Sequence, residues 1–230
     1  MLHKTRGIVI NYIKYRETSV IVKIYTEEFG LQSYVINSIR SKASKKSLAL
    51  LQPLSLLELV VYKKKNHNGG ISRLSEFRPA FTYKTIPFDI KKSTIVIFVT
   101  EWLSKILAED ELDHSGQFEF FFRSFETFDS LVSGYENFHL QLMVKATSFL
   151  GFGVIRARNL ITTDKAVNEG MMSVAERTVT LGKMDYDQPY PMSNMDRKEV
   201  IDLLMNYYKS HIESFGEIKS ANILKNVFHG

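Results

Sequence analysis

The side chains of this 230-residue chain that could do chemistry fall into two sets of opposite charge. Arg40, Lys42, Lys45 and Lys46 share one polar stretch, Ile39 to Ser47, interleaved with serines, and Lys63, Lys64 and Lys65 form a second run. Cationic heads alternating with hydroxyl donors suit phosphate oxygens. Arg6, Arg16 and Lys23 add a second tier from the segment that precedes them. Carboxylates cluster at Glu109, Asp110, Glu111 and Asp113, beside His114, and again at Asp185 and Asp187. A metal-dependent nuclease needs carboxylates that converge, and acid–base work needs them desolvated. The first cluster follows an expected helix end and lies beside Gly116, so it reads as a solvated connector. A metal-dependent nuclease using Glu109, Asp110 and Asp113 is therefore an alternative, not the expectation, and an RNA-binding protein is a second, since phosphates look alike to Lys.

Other chemistries find no residues. His3, His67, His114, His139, His211 and His229 share no i, i+4 face and no zinc-like spacing, and the chain has no Cys. That excludes disulfides, thiolate metal sites and a cysteine nucleophile. There is no Gly-rich phosphate loop, nucleophile elbow or dinucleotide fingerprint. The expectation is a protein that is not an enzyme and takes no cofactor and no metal.

The charge is unevenly placed. The first 84 residues hold 15 Lys plus Arg against five Glu and no Asp, a net of +10, while the remaining 146 hold 15 basic and 20 acidic side chains, a net of −5. Such asymmetry points to a polyanion-binding module joined to something else. No apolar run approaches the ~18 residues of a membrane span, and the N-terminus lacks a signal-peptide pattern. A cytoplasmic, nucleoid-associated protein with no membrane partner is expected.

The elements that must position these residues change period near residue 80. Before it, Ile8 to Ile13, Val20 to Tyr25, Leu31 to Ile36, Leu54 to Tyr62 and Ile71 to Phe77 read as strands, with Gly30 at a hairpin turn. Five strands in about 75 residues match a small closed barrel of OB type, although an SH3-like barrel has the same count. Tyr12, Tyr15, Tyr25, Tyr34 and Tyr62 could offer stacking faces to bases, but at least three of the five should pack the barrel. After the linker Arg78 to Pro87 the period becomes helical. Ile95, Phe98, Val99, Trp102 and Ile106 make one stripe, and Phe118, Phe121, Phe122, Phe125 and Phe128 make an aromatic one that reads as core packing. A third helix runs from about Glu136 to Leu150 and stops at Gly151. Ser193 with Asp196 opens a fourth as a capping box, and Ile218, Ile223, Leu224 and Val227 mark the last. Residues 152–192 read as irregular, with Ser173 to Leu181 as a short strand or hairpin. The fold class is α+β: a five-stranded OB-type barrel over 1–80, then an all-α domain over 81–230.

The string Gly7-Ile8-Val9-Ile10, then Tyr15-Arg16-Glu17-Thr18-Ser19, then Tyr25-Thr26-Glu27-Glu28-Phe29-Gly30-Leu31, resembles the N-terminal signature of the RecO family of bacterial recombinational repair proteins. Leu51-Gln52-Pro53-Leu54, Ile71 to Glu76, Leu150-Gly151-Phe152-Gly153 and Ile218-Lys219-Ser220 extend the likeness over about residues 6 to 224. The resemblance implies an OB barrel followed by a helical domain. It also implies binding of single- and double-stranded DNA, strand annealing, and recombinase loading together with RecR and often RecF. A further implied partner is the acidic C-terminal tail of single-stranded DNA-binding protein, for which Lys219 and Arg123 are the candidate contacts. Many relatives carry a four-cysteine zinc motif in the region of Ile155 to Leu181; here it has no Cys, so ordinary packing is expected to hold that segment. The Arg that often follows Lys-Ser is Ala221 in this chain.

Overall fold

The computed structural model describes residues 1–37, 39, 48–62, 70–107, 115–162 and 167–228. Five strands, β1 (Leu2–Tyr15), β2 (Ser19–Thr26), β3 (Gly30–Ile36), β4 (Leu56–Tyr62) and β5 (Ser72–Pro79), close into a barrel in the order β1-β2-β3-β5-β4. All neighbours are antiparallel except β3 and β5, which run parallel. This is the OB-type barrel, which settles the choice that the strand count left open. Among the described residues six α-helices follow: α1 (Ile90–Ile106), α2 (Ser115–Ser130), α3 (Phe138–Ala146), α4 (Glu169–Lys183), α5 (Asn194–His211) and α6 (Ser220–Phe228). The chain groups into two compact units, one of residues 1–83 and 100–126, the other of 84–99 and 127–230.

In the first unit, period-2 alternation decides which side chains fill the barrel. Val9, Val20, Val22, Ile24, Tyr34, Leu57, Leu59, Val61 and Leu74 point inward, with Tyr12, Phe29 and Phe77 packed against them. Burial pushes the Tyr34 hydroxyl up to about 12, against an opposing hydrogen bond with Thr26. The β1–β2 register shifts between Val9 and Asn11, so Ile10 is an extra residue in a bulge that bends the long first strand. Gly7 faces the interior where no side chain fits. A Cβ there would meet Ile24 Cγ2 and Leu59 Cδ1, each at 2.6 Å. Gly7→Ala is expected to lower stability by about 1–3 kcal/mol through overpacking, read as a fall in the urea midpoint with an unchanged slope.

Outside the barrel, Tyr25 is buried against Phe118 and Phe121 of α2, and its hydroxyl donates to Gln117 Oε1 at 2.6 Å. Phe118, Phe121 and Phe125 are fully buried, so this part of the aromatic stripe is core, as its helical spacing implied.

The second unit is organised around a buried lysine. Asp89 caps α1, its Oδ1 accepting the N–H groups of Lys91 and Lys92. Lys92, only 2% exposed, donates from Nζ to Thr85 Oγ1 and to the carbonyls of Asp129 and Leu131 at 2.6, 3.0 and 2.7 Å. Three ammonium protons thus meet three acceptors, over the rings of Phe128 and Tyr135. The Asp129 carboxylate accepts the backbone N–H groups of Lys84, Thr85 and Ile86. Farther along, Ser193 and Asp196 form the anticipated capping box of α5.

One expectation is corrected. Ser173 to Leu181 is neither strand nor hairpin but lies inside α4, capped by Asn168, whose side chain accepts the Met171 N–H. Ala175, Thr178 and Leu181 fall three apart and are buried. The β-branched Val174, Thr178, Val179 and Thr180 favour a strand locally, and burial of that stripe overrides them.

Candidate nucleic-acid interface

Strand register places the exposed side chains of the barrel in rows. Asn11, Lys23 and Ser33 lie opposite one another on β1, β2 and β3. The next outward row is Ile13, Ile21, Val35 and Arg73, running from β1 to β5, and Tyr62 of β4 continues it beyond Arg73. Ile13 is 60% exposed, and Arg73 is exposed as well. At one end of this face the β1–β2 turn carries Arg16, in the left-handed region at φ 53°, with its guanidinium 5.2 Å from the Tyr15 ring centroid.

The same end of the barrel is where β3 finishes at Ile36, where β4 finishes at Tyr62 and where β5 begins at Ser72. Val20 pairs with both Lys14 and Ile36, and Arg73 with both Val35 and Tyr62. The chain therefore leaves for its two basic segments from one rim, beside the turn that holds Arg16. The basic residues themselves, Arg40, Lys42, Lys45, Lys46, Lys63, Lys64 and Lys65, lie outside the described residues, as do Glu109, Asp110 and Asp113.

Arg6 stands elsewhere. Its Nε and Nη2 donate to the two Glu27 oxygens at 2.9 and 2.6 Å, and Nη2 also donates to Glu119 Oε2 at 2.7 Å. The guanidinium lies over Phe118 and Phe122. Hydrogen bonds to Glu27 and then Glu119 raise its pKa, and the Arg6 fork holds the Glu27 carboxyl below its usual range. Arg6 is a candidate phosphate contact as one of the basic residues of the first hairpin, and in the structure two carboxylates from distant parts of the sequence hold its guanidinium. Arg123 converges on the same group, binding Glu119 at 2.7 Å and Glu126 at 2.8 Å. Neither partner of Arg6 is visible in a local pattern; Glu119 is 113 residues away.

The five tyrosines divide as expected. Tyr25 and Tyr34 are buried and Tyr12 packs against the barrel core, while Tyr15 and Tyr62 are exposed. Lys219 is exposed just before α6. Near it, a depression of about 400 Å³ has Ile201, Met205, Ile218 and Ala221 on its walls with Asp202, Glu217 and Lys209. Two carboxylates against one ammonium do not make the cationic rim that an anionic tail would need. Among the described residues no three metal-capable side chains gather, and no helix is long and apolar enough to cross a membrane.

Residues 1–83, which include the whole barrel, match the family model described as Recombination protein O N terminal. Over nearly the full length the chain is similar to the DNA repair protein RecO of Flavobacterium psychrophilum, with 34% identity across 98% of both chains. The chain belongs to the RecO family. RecO proteins of Flavobacterium johnsoniae (31% identity, 98% of both chains) and Phocaeicola vulgatus (29%, covering 99% of this chain and 100% of the relative) are similar in the same way. Membership makes this a DNA repair recombination protein.

Proposed function

We propose that this protein is a non-enzymatic recombination mediator. It binds and anneals single-stranded DNA and helps load a recombinase onto DNA coated by single-stranded DNA-binding protein. RecR, and RecF where it takes part, are its partners, together with the acidic tail of the single-stranded DNA-binding protein. The observation that carries the reading is the single barrel rim that receives the Arg16 turn and the flanks of both basic segments, on a stretch of chain with a net charge of +10. Arg40, Lys42, Lys45, Lys46 and Lys63 to Lys65 are the phosphate contacts, with Arg16 and Lys23 behind them. Arg6 serves instead to tie β1 to Glu27 and Glu119.

Holding strands by their phosphates needs no nucleotide hydrolysis and releases counterions. If about five phosphates are neutralised, log K for single strands falls with log salt at a slope near −3.5. Replacing Lys42, Lys45 and Lys46 together by Ala should lower that slope by about 2 in magnitude and slow annealing of complementary strands. Fluorescence anisotropy of a labelled 30-nucleotide strand across a salt series measures it. An affinity indifferent to salt, or a slope unchanged in the triple variant, would remove the assignment.

A further inference from the structure

We infer that the barrel binds the sugar–phosphate backbone without stacking on bases, so that a bound strand keeps its bases free; this rests on the DNA-binding reading above. Non-specific single-strand binders commonly interleave cations with a series of aromatic platforms, and the stacking is a large share of their affinity. Here the platforms are missing from the outer face. Among the described residues of the barrel, the only exposed aromatic rings belong to Tyr15, at 37%, and Tyr62, at 46%. The undescribed stretches of the first 83 residues contain one ring-bearing residue, His67.

Tyr15 and Tyr62 cannot act as a series. They sit on β1 and β4, which pair directly, but Tyr62 lies opposite Leu2, thirteen residues before Tyr15 on β1, and round the other way β2, β3 and β5 come between them. What fills that interval is Ile13, Ile21, Val35 and Arg73, aliphatic side chains and a cation. Aliphatic surface packs against a sugar as readily as against a base and offers no π face. One side of the Tyr15 ring is in addition covered by the Arg16 guanidinium. Attraction therefore comes from charge, which reads phosphate and is blind to the base.

The consequence is a ligand class wider than DNA of any sequence: a polyanionic ribose or deoxyribose phosphate chain, whatever it carries at C1′. The decisive probe is a 30-nucleotide oligothymidylate against an equally long strand of abasic deoxyribose phosphate analogue, each end-labelled and titrated with the full chain. The two dissociation constants are expected to agree within about threefold, with the same salt slope. The double variant Tyr15→Ala/Tyr62→Ala should bind oligothymidylate within about twofold of the parent. A tenfold or greater loss on the abasic strand, or in the double variant, overturns backbone-only binding and leaves DNA binding in place. Failure of the parent protein to bind either strand overturns both.

Discussion

Replacing Asp129 by Ala is expected to cost the second unit about 3–4 kcal/mol, because it strips partners from several groups at once. Three backbone N–H groups in succession, from Lys84, Thr85 and Ile86, donate to this carboxylate, and Ile86 is buried. The Lys92 ammonium nearby would keep its three neutral acceptors but lose a compensating charge. Burial by itself pushes the Asp129 pKa up and burial of Lys92 pushes that ammonium down; for Asp129 the hydrogen bonds from Ile86, Lys84 and Thr85 win, and its pKa is lowered. A carboxylate held below its unfolded value contributes stability that is fully present above about pH 4 and disappears as the pH falls through the folded value. Asp129→Asn should be milder than Ala, since one carbonyl oxygen remains to accept, while its amide faces another donor. Urea melts followed by far-ultraviolet circular dichroism would check this, and a loss below about 1 kcal/mol for Asp129→Ala would show that water replaces the carboxylate freely.

Asp129 and Lys92 also show where a sequence stops being readable. Period and punctuation exposed whatever is local. The five strands, the stripe of Phe118, Phe121 and Phe125, and the Ser193–Asp196 capping box each follow from spacing over fewer than 20 residues, and the structure has all of them. What stayed hidden depends on partners far along the chain. Asp129 reaches back 43 to 45 residues to its three donors, Gln117 accepts from a tyrosine 92 residues away, and Glu119 claims Arg6. Lys92 follows Lys91 directly in a helix dense with Ile, Val and Thr, and nothing local tells the buried Lys from its exposed neighbour. The same limit touched the candidate site. Arg6, Arg16 and Lys23 look equivalent as cations near one hairpin, yet the Arg6 fork is held by a pair of carboxylates that no local pattern announces. The tyrosines could be divided in number by packing logic, whereas the choice of Tyr15 and Tyr62 as the exposed pair needed the strand register. Helix α4 was missed for a different reason: its β-branched residues vote for a strand, and only the neighbours of its buried stripe outvote them.

Acid should weaken the second unit well before Asp129 titrates, and His139 is the cause. The ring is 2% exposed, packed edge-on against Phe98 at 5.6 Å, and its Nδ1 has no hydrogen-bond partner among the described residues. Burial, with a smaller push from Arg197, takes its pKa down to about 3. Unfolded, the same ring titrates near 6.5. Between those values the unfolded chain binds a proton that the folded chain refuses, so stability declines by about 1.4 kcal/mol per pH unit from roughly pH 6 down to 3.5. Summed over that window the loss approaches 3–4 kcal/mol, a large fraction of the 5–15 kcal/mol typical of a domain. His139→Leu removes the titrating ring and the orphaned nitrogen together at similar volume. It should therefore leave stability at pH 7.5 within about 1 kcal/mol of the parent and flatten the decline above pH 4. The steeper fall below pH 4, to which Asp129 contributes, should survive in His139→Leu and shrink in Asp129→Asn. Because the two windows barely overlap, urea midpoints at half-unit pH steps separate the histidine from the carboxylate. A His139→Leu profile parallel to the parent between pH 6 and 4 would mean that the ring finds a way to protonate in the folded state.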